Sequence, residues 1–244
     1  MIYVATRAGL YHDVSEDTVL VGENVLCDTA AVLPVPETGF VCVADGVGGN
    51  LGGSQASQFV LNALAAYDGS AELSDYLHEV NNRLIEDFQN DPALNEMATT
   101  LTGFFFADTQ LRLIHVGNTR AYIKQGNYLK QITSDHTVYQ YLRSRGLSEE
   151  AESCNKNEIT NCFGGGNTDL LKKLYVTDSQ HFTTAVLTSD GIHEYVSLDD
   201  IEEILSSDVS GSEKCEEIIL QARQQGSEDD LTVVIIVQSR DERI

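Results

Sequence analysis

Carboxylates recur in this 244-residue chain at four places where they could share a cation. Asp45 opens Asp45-Gly46-Val47-Gly48-Gly49 and Asp190 sits in Ser189-Asp190-Gly191. Asp229-Asp230 precede Leu231-Thr232, and Glu16-Asp17 follow Ser15. Three of the four abut strongly apolar runs: FVCVA before Asp45, TAVLT before Ser189 and LTVVIIV after Asp230. A carboxylate at the end of a buried strand is costly unless something cationic pairs with it. Oxygen-rich clusters of this kind suit hard divalent ions such as Mg²⁺ or Mn²⁺. Two such ions bridged by one carboxylate make a site for activating water against a phosphoryl or acyl centre. Gly46 lacks a Cβ, so its carbonyl can turn toward an ion beside Asp45. A single Asp-Gly is usually an ordinary turn. Its recurrence at strand ends points to a metal-dependent enzyme.

The elements that must position these acids alternate along the chain. Apolar or β-branched runs at Thr18–Val21, Gly39–Ala44, Leu101–Ala107, Leu111–Val116, Ala121–Lys124, Ala185–Thr188 and Thr232–Val237 predict strands. Turns at Asp108-Thr109, Gly117-Asn118 and Gly126-Asn127 predict an antiparallel meander from Leu101 to Ile132. In Gly53–Tyr67, Ala56, Val60, Ala63, Leu64 and Tyr67 share a helical face, as do Leu77, Val80, Leu84 and Phe88 in Leu73–Phe88. A later helix pair, Leu198–Leu205 and Ser212–Gln225, is acidic on one side. Helix pairs separated by antiparallel strands predict a layered α+β fold with its sheets in the middle. With three prolines and no repeat, residues 1–244 read as one domain. The polar stretch at about 135–178, which holds Gly164-Gly165-Gly166, reads as a flap-like insertion or a surface excursion.

Lys plus Arg number 15 against 38 Asp plus Glu, a formal net charge of −23. A field of that sign repels nucleic-acid backbones and anionic membranes, and excludes both as partners. No run approaches the roughly 18–20 apolar residues of a membrane span. Five cysteines without a C-x-x-C pair fit free thiols in a reducing compartment, so a cytoplasmic protein is expected. Cys42 reads as an inert buried thiol. His115, His136, His181 and His193 show no metal-ligand spacing and read as packing or surface residues, and Thr99, Thr100 and Thr102 as sheet residues.

Taken in order, Glu16-Asp17, Val43-Ala44-Asp45-Gly46-Val47-Gly48-Gly49, Val116-Gly117-Asn118-Thr119-Arg120-Ala121-Tyr122, Thr188-Ser189-Asp190-Gly191 and Asp229-Asp230-Leu231-Thr232-Val233-Val234 resemble the PP2C-type (PPM) protein phosphatases, in particular their compact bacterial members. The resemblance runs from about Thr6 to Val237. It implies a four-layer α-β-β-α sandwich, with two central, mostly antiparallel sheets flanked by helix pairs. It also implies two Mn²⁺ or Mg²⁺ ions and a water bridging them that hydrolyses phosphoserine or phosphothreonine in a phosphorylated protein substrate. By position, Asp45 bridges both ions, Gly46 lends its carbonyl, Asp190 and Asp229 bind one ion and Glu16 the other. Asp17 orients these ligands without binding metal. Asn157, Thr160 and Gly164 resemble the exit of the family's flap. A monomer is expected.

The pattern breaks at four places, the mildest being Ser15 where the family carries an asparagine. His12 stands where the family carries the arginine that grips the substrate phosphate; histidine is charged only part of the time near neutrality and cannot fork onto two oxygens. Arg7 is the other candidate for that grip. Asn118 replaces the aspartate of a third, weaker metal site, so that site is expected to be weak or absent. Asp230 replaces an asparagine and adds a charge able to raise a neighbouring carboxylate pKa. These departures leave two alternatives to an active protein phosphatase: a weakly active module that binds phosphoproteins, and a phosphatase of small phosphate esters.

Overall fold

The computed structural model describes residues 1–47, 52–107 and 110–238; the expected Asp108-Thr109 turn and Gly48 to Leu51 lie outside them. Strands β1 (Ile2–Arg7), β2 (Thr18–Val21), β3 (Asn24–Leu26), β4 (Ala30–Leu33), β5 (Gly39–Ala44) and β6 (Gly46–Val47) come first. Helices α1 (Gly52–Ala65) and α2 (Leu73–Phe88) follow. Then come β7 (Ala98–Thr99), β8 (Leu101–Ala107), β9 (Gln110–Val116), β10 (Arg120–Gln125) and β11 (Tyr128–Gln131). The third quarter holds α3 (Val138–Ser144), α4 (Ser148–Ser153), β12 (Phe163–Gly164) and β13 (Tyr175–Asp178). The chain closes with β14 (Thr184–Thr188), α5 (Asp190–His193), α6 (Leu198–Ser206), α7 (Gly211–Gln224) and β15 (Leu231–Val237).

Two six-stranded antiparallel sheets result, in the orders β11-β10-β14-β15-β1-β4 and β13-β9-β8-β5-β2-β3. A small third sheet, β12-β7-β6, sits beside the second. Period-2 alternation explains why the central strands read as unbroken apolar runs. In β15, Val234 and Ile236 point between the sheets, whereas Leu231, Val233 and Ile235 face α6 and α7. In β5, Val41 and Val43 point between the sheets, and Phe40, Cys42 and Ala44 face α1 and α2. Both faces of each sheet are therefore covered, which makes four layers. Full burial of each such Val or Ile is worth about 1.5–3 kcal/mol.

The expected meander does not form. β8 and β9 pair in the second sheet, β10 and β11 in the first, and the chain changes sheets through Gly117-Asn118-Thr119. Gly117 has φ +103°, and a Cβ there would collide with the Thr100 side chain, so the crossing requires glycine. The 135–178 stretch contains α3 packed on α4, but it rejoins the sheets at β12, which pairs with β7, and at β13, which pairs with β9. All five cysteines are unpaired, and burial pushes the Cys42 thiol pKa up. Among the described residues no helix is long and apolar enough to cross a membrane.

Candidate metal centre

Strand pairing gathers the acids at one rim. Glu16 and Asp17 lead into β2 and Asp45 leaves β5; these strands are antiparallel neighbours with Thr18 opposite Ala44. In the facing sheet Thr188 of β14 lies opposite Val233 of β15, which brings Asp190 beside Asp229 and Asp230. The Asp45 and Asp190 carboxyl groups meet in hydrogen-bonding contact across the gap between sheets. Two glycines make room for this. A Cβ on Gly46 would come within 2.5 Å of the Gly53 carbonyl carbon, and one on Gly53 within 2.6 Å of Glu16 Cδ. The first turn of α1 thus rests on the Asp45-Gly46 backbone, with Gly53 against the Glu16 carboxylate.

The backbone of Asp45 is held at both ends of its peptide. Its N–H donates to Thr100 Oγ1 at 3.0 Å, while its carbonyl accepts from Thr99 Oγ1 at 2.8 Å and from the Thr100 N–H at 2.9 Å. Ser57 Oγ donates to the Glu16 carbonyl at 2.7 Å. Asp230 is a hub: Oδ1 accepts the Gly9 N–H at 2.7 Å, and Oδ2 accepts the Glu16 N–H at 2.6 Å and lies 3.0 Å from His12 Nδ1. Asn118 Nδ2 donates to Asp190 Oδ2 at 2.9 Å.

Crowding has electrostatic consequences. Burial, then Asp190, Asp17 and Asp229, hold the Asp45 pKa well above the usual carboxylate range. Asp190 is pushed up to about 6 by burial and then by Asp229 and Glu194, against the opposing Asn118 amide. Burial and the Asp230 charge raise Asp17, although the Thr232 and Ser189 hydroxyls oppose them. Glu16 is raised chiefly by burial. Two carboxylates in contact cannot both ionise unless a cation joins them. Asp17 Oδ2 and Asn118 Oδ1 are buried without a hydrogen-bond partner. An all-oxygen donor set, excess negative charge and unpartnered oxygens fit hard divalent cations. As the side chains stand they crowd in pairs, and no three His, Cys, Asp or Glu groups among the described residues close around one point.

A sequence model described as protein phosphatase 2C matches residues 23–231. The chain belongs to the protein phosphatase 2C family. It is 32% identical over 212 residues to the serine/threonine phosphatase Stp of Listeria welshimeri, covering 80% of this chain and 83% of that protein. The crystal structure of the Mycobacterium tuberculosis serine/threonine phosphatase PstP/Ppp superposes with a TM-score of 0.78 at 28% identity, over 96% of this chain and 97% of that one. The catalytic domain of PstP, solved in complex with two manganese ions, superposes at 0.73 and 28% identity, over 96% and 98% of the two chains.

Within this protein phosphatase 2C fold, every acid singled out from the sequence lies at the same rim. Arg7 does not reach in: its guanidinium pairs with Glu216 on α7. His12 lies at the edge of the acids, with Nε2 4.0 Å from Glu16 Oε2. His115 and His193 are packing residues bonded to Thr102 and Thr188 hydroxyls, and His136 stacks on Tyr175. Sequence reasoning missed the buried hydroxyls of Ser57, Thr99, Thr100 and Thr119. The one signal available was polar residues in or beside otherwise apolar elements: Ser57 in α1, Thr99 in β7, and Thr100 and Thr119 next to β8 and β10.

Proposed function

We propose that this protein, a single domain with a flap at about 135–178, hydrolyses phosphoserine and phosphothreonine in phosphorylated proteins with the help of two divalent cations, Mn²⁺ or Mg²⁺. The observation that carries the reading is the contact of Asp45 and Asp190 across the sheets, with Glu16 and Asp229 beside them. Glu16, Asp45, the Gly46 carbonyl, Asp190 and Asp229 would hold the ions. Bound there, the ions would acidify water and neutralise phosphoryl oxygen charge, so that hydrolysis would need no phosphorylated enzyme. Two divalent ions bring +4 to a rim of six carboxylates, Glu16, Asp17, Asp45, Asp190, Asp229 and Asp230, so loading weakens its repulsion of a phosphate in a chain of net charge −23.

The chain's own groups do the positioning. Thr99 and Thr100 fix the Asp45 backbone, and Asn118 holds Asp190 Oδ2. Asp17 is buried beside the ligands and would orient them without binding metal. His12, held through Nδ1 by Asp230, keeps Nε2 on the acid side, where a protonated imidazole donates to a phosphate oxygen. Phosphate release from a phosphothreonine peptide should require Mn²⁺ or Mg²⁺. Asp45→Ala or Asp190→Ala should lower it by roughly 10³-fold or more, beyond the cost of one lost hydrogen-bond donor. Activity retained by either variant rejects the mechanism, and metal-independent wild-type activity rejects the two-ion centre.

A further inference from the structure

Between the sheets, Thr119 stands at a crossing that touches both sides of the rim. Its Oγ1 lies 3.2 Å from Thr100 Oγ1 and 2.7 Å from Thr102 Oγ1. Thr100 in turn accepts the Asp45 N–H. The residue before it, Asn118, donates to Asp190, and the residue after it, Arg120, is paired in register with Thr188, two residues before Asp190. The network is anchored on its far side. Thr102 Oγ1 lies 2.8 Å from His115 Nδ1, and His115 Nε2 lies 2.9 Å from the Ser134 carbonyl. A carbonyl only accepts, so Nε2 carries the imidazole proton and the Thr102 hydroxyl donates to Nδ1. Thr100, Thr102 and Thr119 are fully buried, with water excluded as a substitute partner.

We propose that Thr119 is a positioning residue: its hydroxyl, wedged between Thr100 and Thr102, sets the spacing of Asp45 against Asp190. The inference rests on reading the rim as a two-ion centre. A pair of ions bridged by one carboxylate requires a separation of roughly 3.5–4 Å. Asp45 and Asp190 belong to different sheets, and packing alone leaves sheet-to-sheet distance free to adjust to side-chain volume. A hydrogen-bonded link at the level of the site removes that freedom. Valine has nearly the volume of threonine, so Thr119→Val cuts the link without opening a cavity. Serine keeps the hydroxyl.

The test is calorimetric titration of metal-stripped protein with Mn²⁺, at a temperature where each variant retains the near-ultraviolet circular dichroism of wild type. Thr119→Val should weaken Mn²⁺ binding about 10-fold, the lower end of what orienting partners of metal ligands contribute. Thr119→Ser should stay within about 3-fold by the same measure. Thr100→Val severs the link from its other end and also removes the acceptor of the Asp45 N–H, so its loss should equal or exceed that of Thr119→Val. The double variant should lose little more than Thr100→Val alone, since the Thr119–Thr100 contact is already gone in that variant. Wild-type affinity in Thr119→Val or Thr100→Val, or equal losses in Thr119→Ser and Thr119→Val, overturns the role of Thr119 alone. A wild-type protein that takes up no Mn²⁺ overturns the two-ion reading itself.

Discussion

His12 Nδ1 lies 3.0 Å from Asp230 Oδ2, and the same oxygen accepts the backbone N–H of Glu16 at 2.6 Å. One carboxylate therefore suspends the 9–16 loop and fixes the imidazole beside the acids. The aspartate at 230 and the histidine at 12 form a pair, so the two departures from the family pattern are physically linked.

Burial disfavours the imidazolium, but the Asp230 hydrogen bond and charge, with Glu16 and Asp229, outweigh it, and the His12 pKa rises above 6.5. A histidine raised on folding contributes stability that is fully present below about pH 6.5 and lost as pH rises through the folded value. In metal-stripped protein, His12→Ala should cost roughly 1 kcal/mol at pH 6, as expected for a partly exposed charge-assisted bond, and much less at pH 9. Chemical denaturation at the two pH values measures this; an equal cost at both refutes the pairing. With metal bound, the KM for a phosphothreonine peptide should rise as the imidazole deprotonates, and His12→Arg should flatten that rise.

Asp190 acts in the same pH direction for the opposite reason, because its charged form is the disfavoured one. Its pKa is raised to about 6, so the metal-free fold binds a proton that the unfolded chain has released. Stability from this group falls as pH climbs from about 4 to about 6. Asp190→Asn should then stabilise the metal-free protein at pH 7 by on the order of 1–3 kcal/mol, while abolishing hydrolysis. Denaturant midpoints at pH 4.5 and pH 7 decide it. A variant less stable than wild type at pH 7 means that the carboxylates do not repel one another as described.

Much of this arrangement is legible from residue order. In LTVVIIV and FVCVA, near-continuous apolar strands end in acids, and both the four-layer burial and the shared rim follow once the strands pair. What could not be read is long-range or carries no distinctive residue type. Both hairpins on either side of Gly117 alternate alike, so nothing local says that β10 leaves the sheet of β9. The short edge strand β13 is half exposed and offers no alternation. Thr99, Thr100 and Thr119 are residues that strands favour anyway, so their type does not disclose that the first two hold the Asp45 backbone or that Thr119 bonds Thr100. His12 and Asp230 are 218 positions apart, and the pair exists only because β1 runs beside β15.

Asn118 tests the third cation. Its amide N–H donates to Asp190 while Oδ1 is buried without a partner. Asn118→Asp replaces that donor with a further charge, so the metal-free protein should lose stability, by about 1–3 kcal/mol for a buried hydrogen bond to a charged group. The same variant should raise the Mn²⁺ stoichiometry from two to three by equilibrium dialysis. An unchanged stoichiometry shows that the side chain at 118 does not limit a third site.

Gly53 and Gly191 separate damage to the centre from damage to the fold. An alanine Cβ at 53 would meet the Glu16 carboxylate, with Oε1 and Oε2 both at 2.7 Å, and a carboxylate on a flexible stem can swing away. Gly53→Ala should therefore fold, with a melting temperature within a few degrees of wild type. Glu16 would be displaced, and Mn²⁺ affinity should fall by about 10-fold or more. At 191 the added Cβ would run into the backbone carbonyl of Asp230, the residue that holds Gly9, His12 and Glu16. Backbone cannot swing aside, so Gly191→Ala should cost several kcal/mol through strain in a packed site. Thermal melts of the two variants in chelator, followed by Mn²⁺ titration of whichever folds, should show this split. A Gly53→Ala protein that melts like Gly191→Ala, or that binds Mn²⁺ as wild type does, removes Glu16 from the set of ligands held by the start of α1.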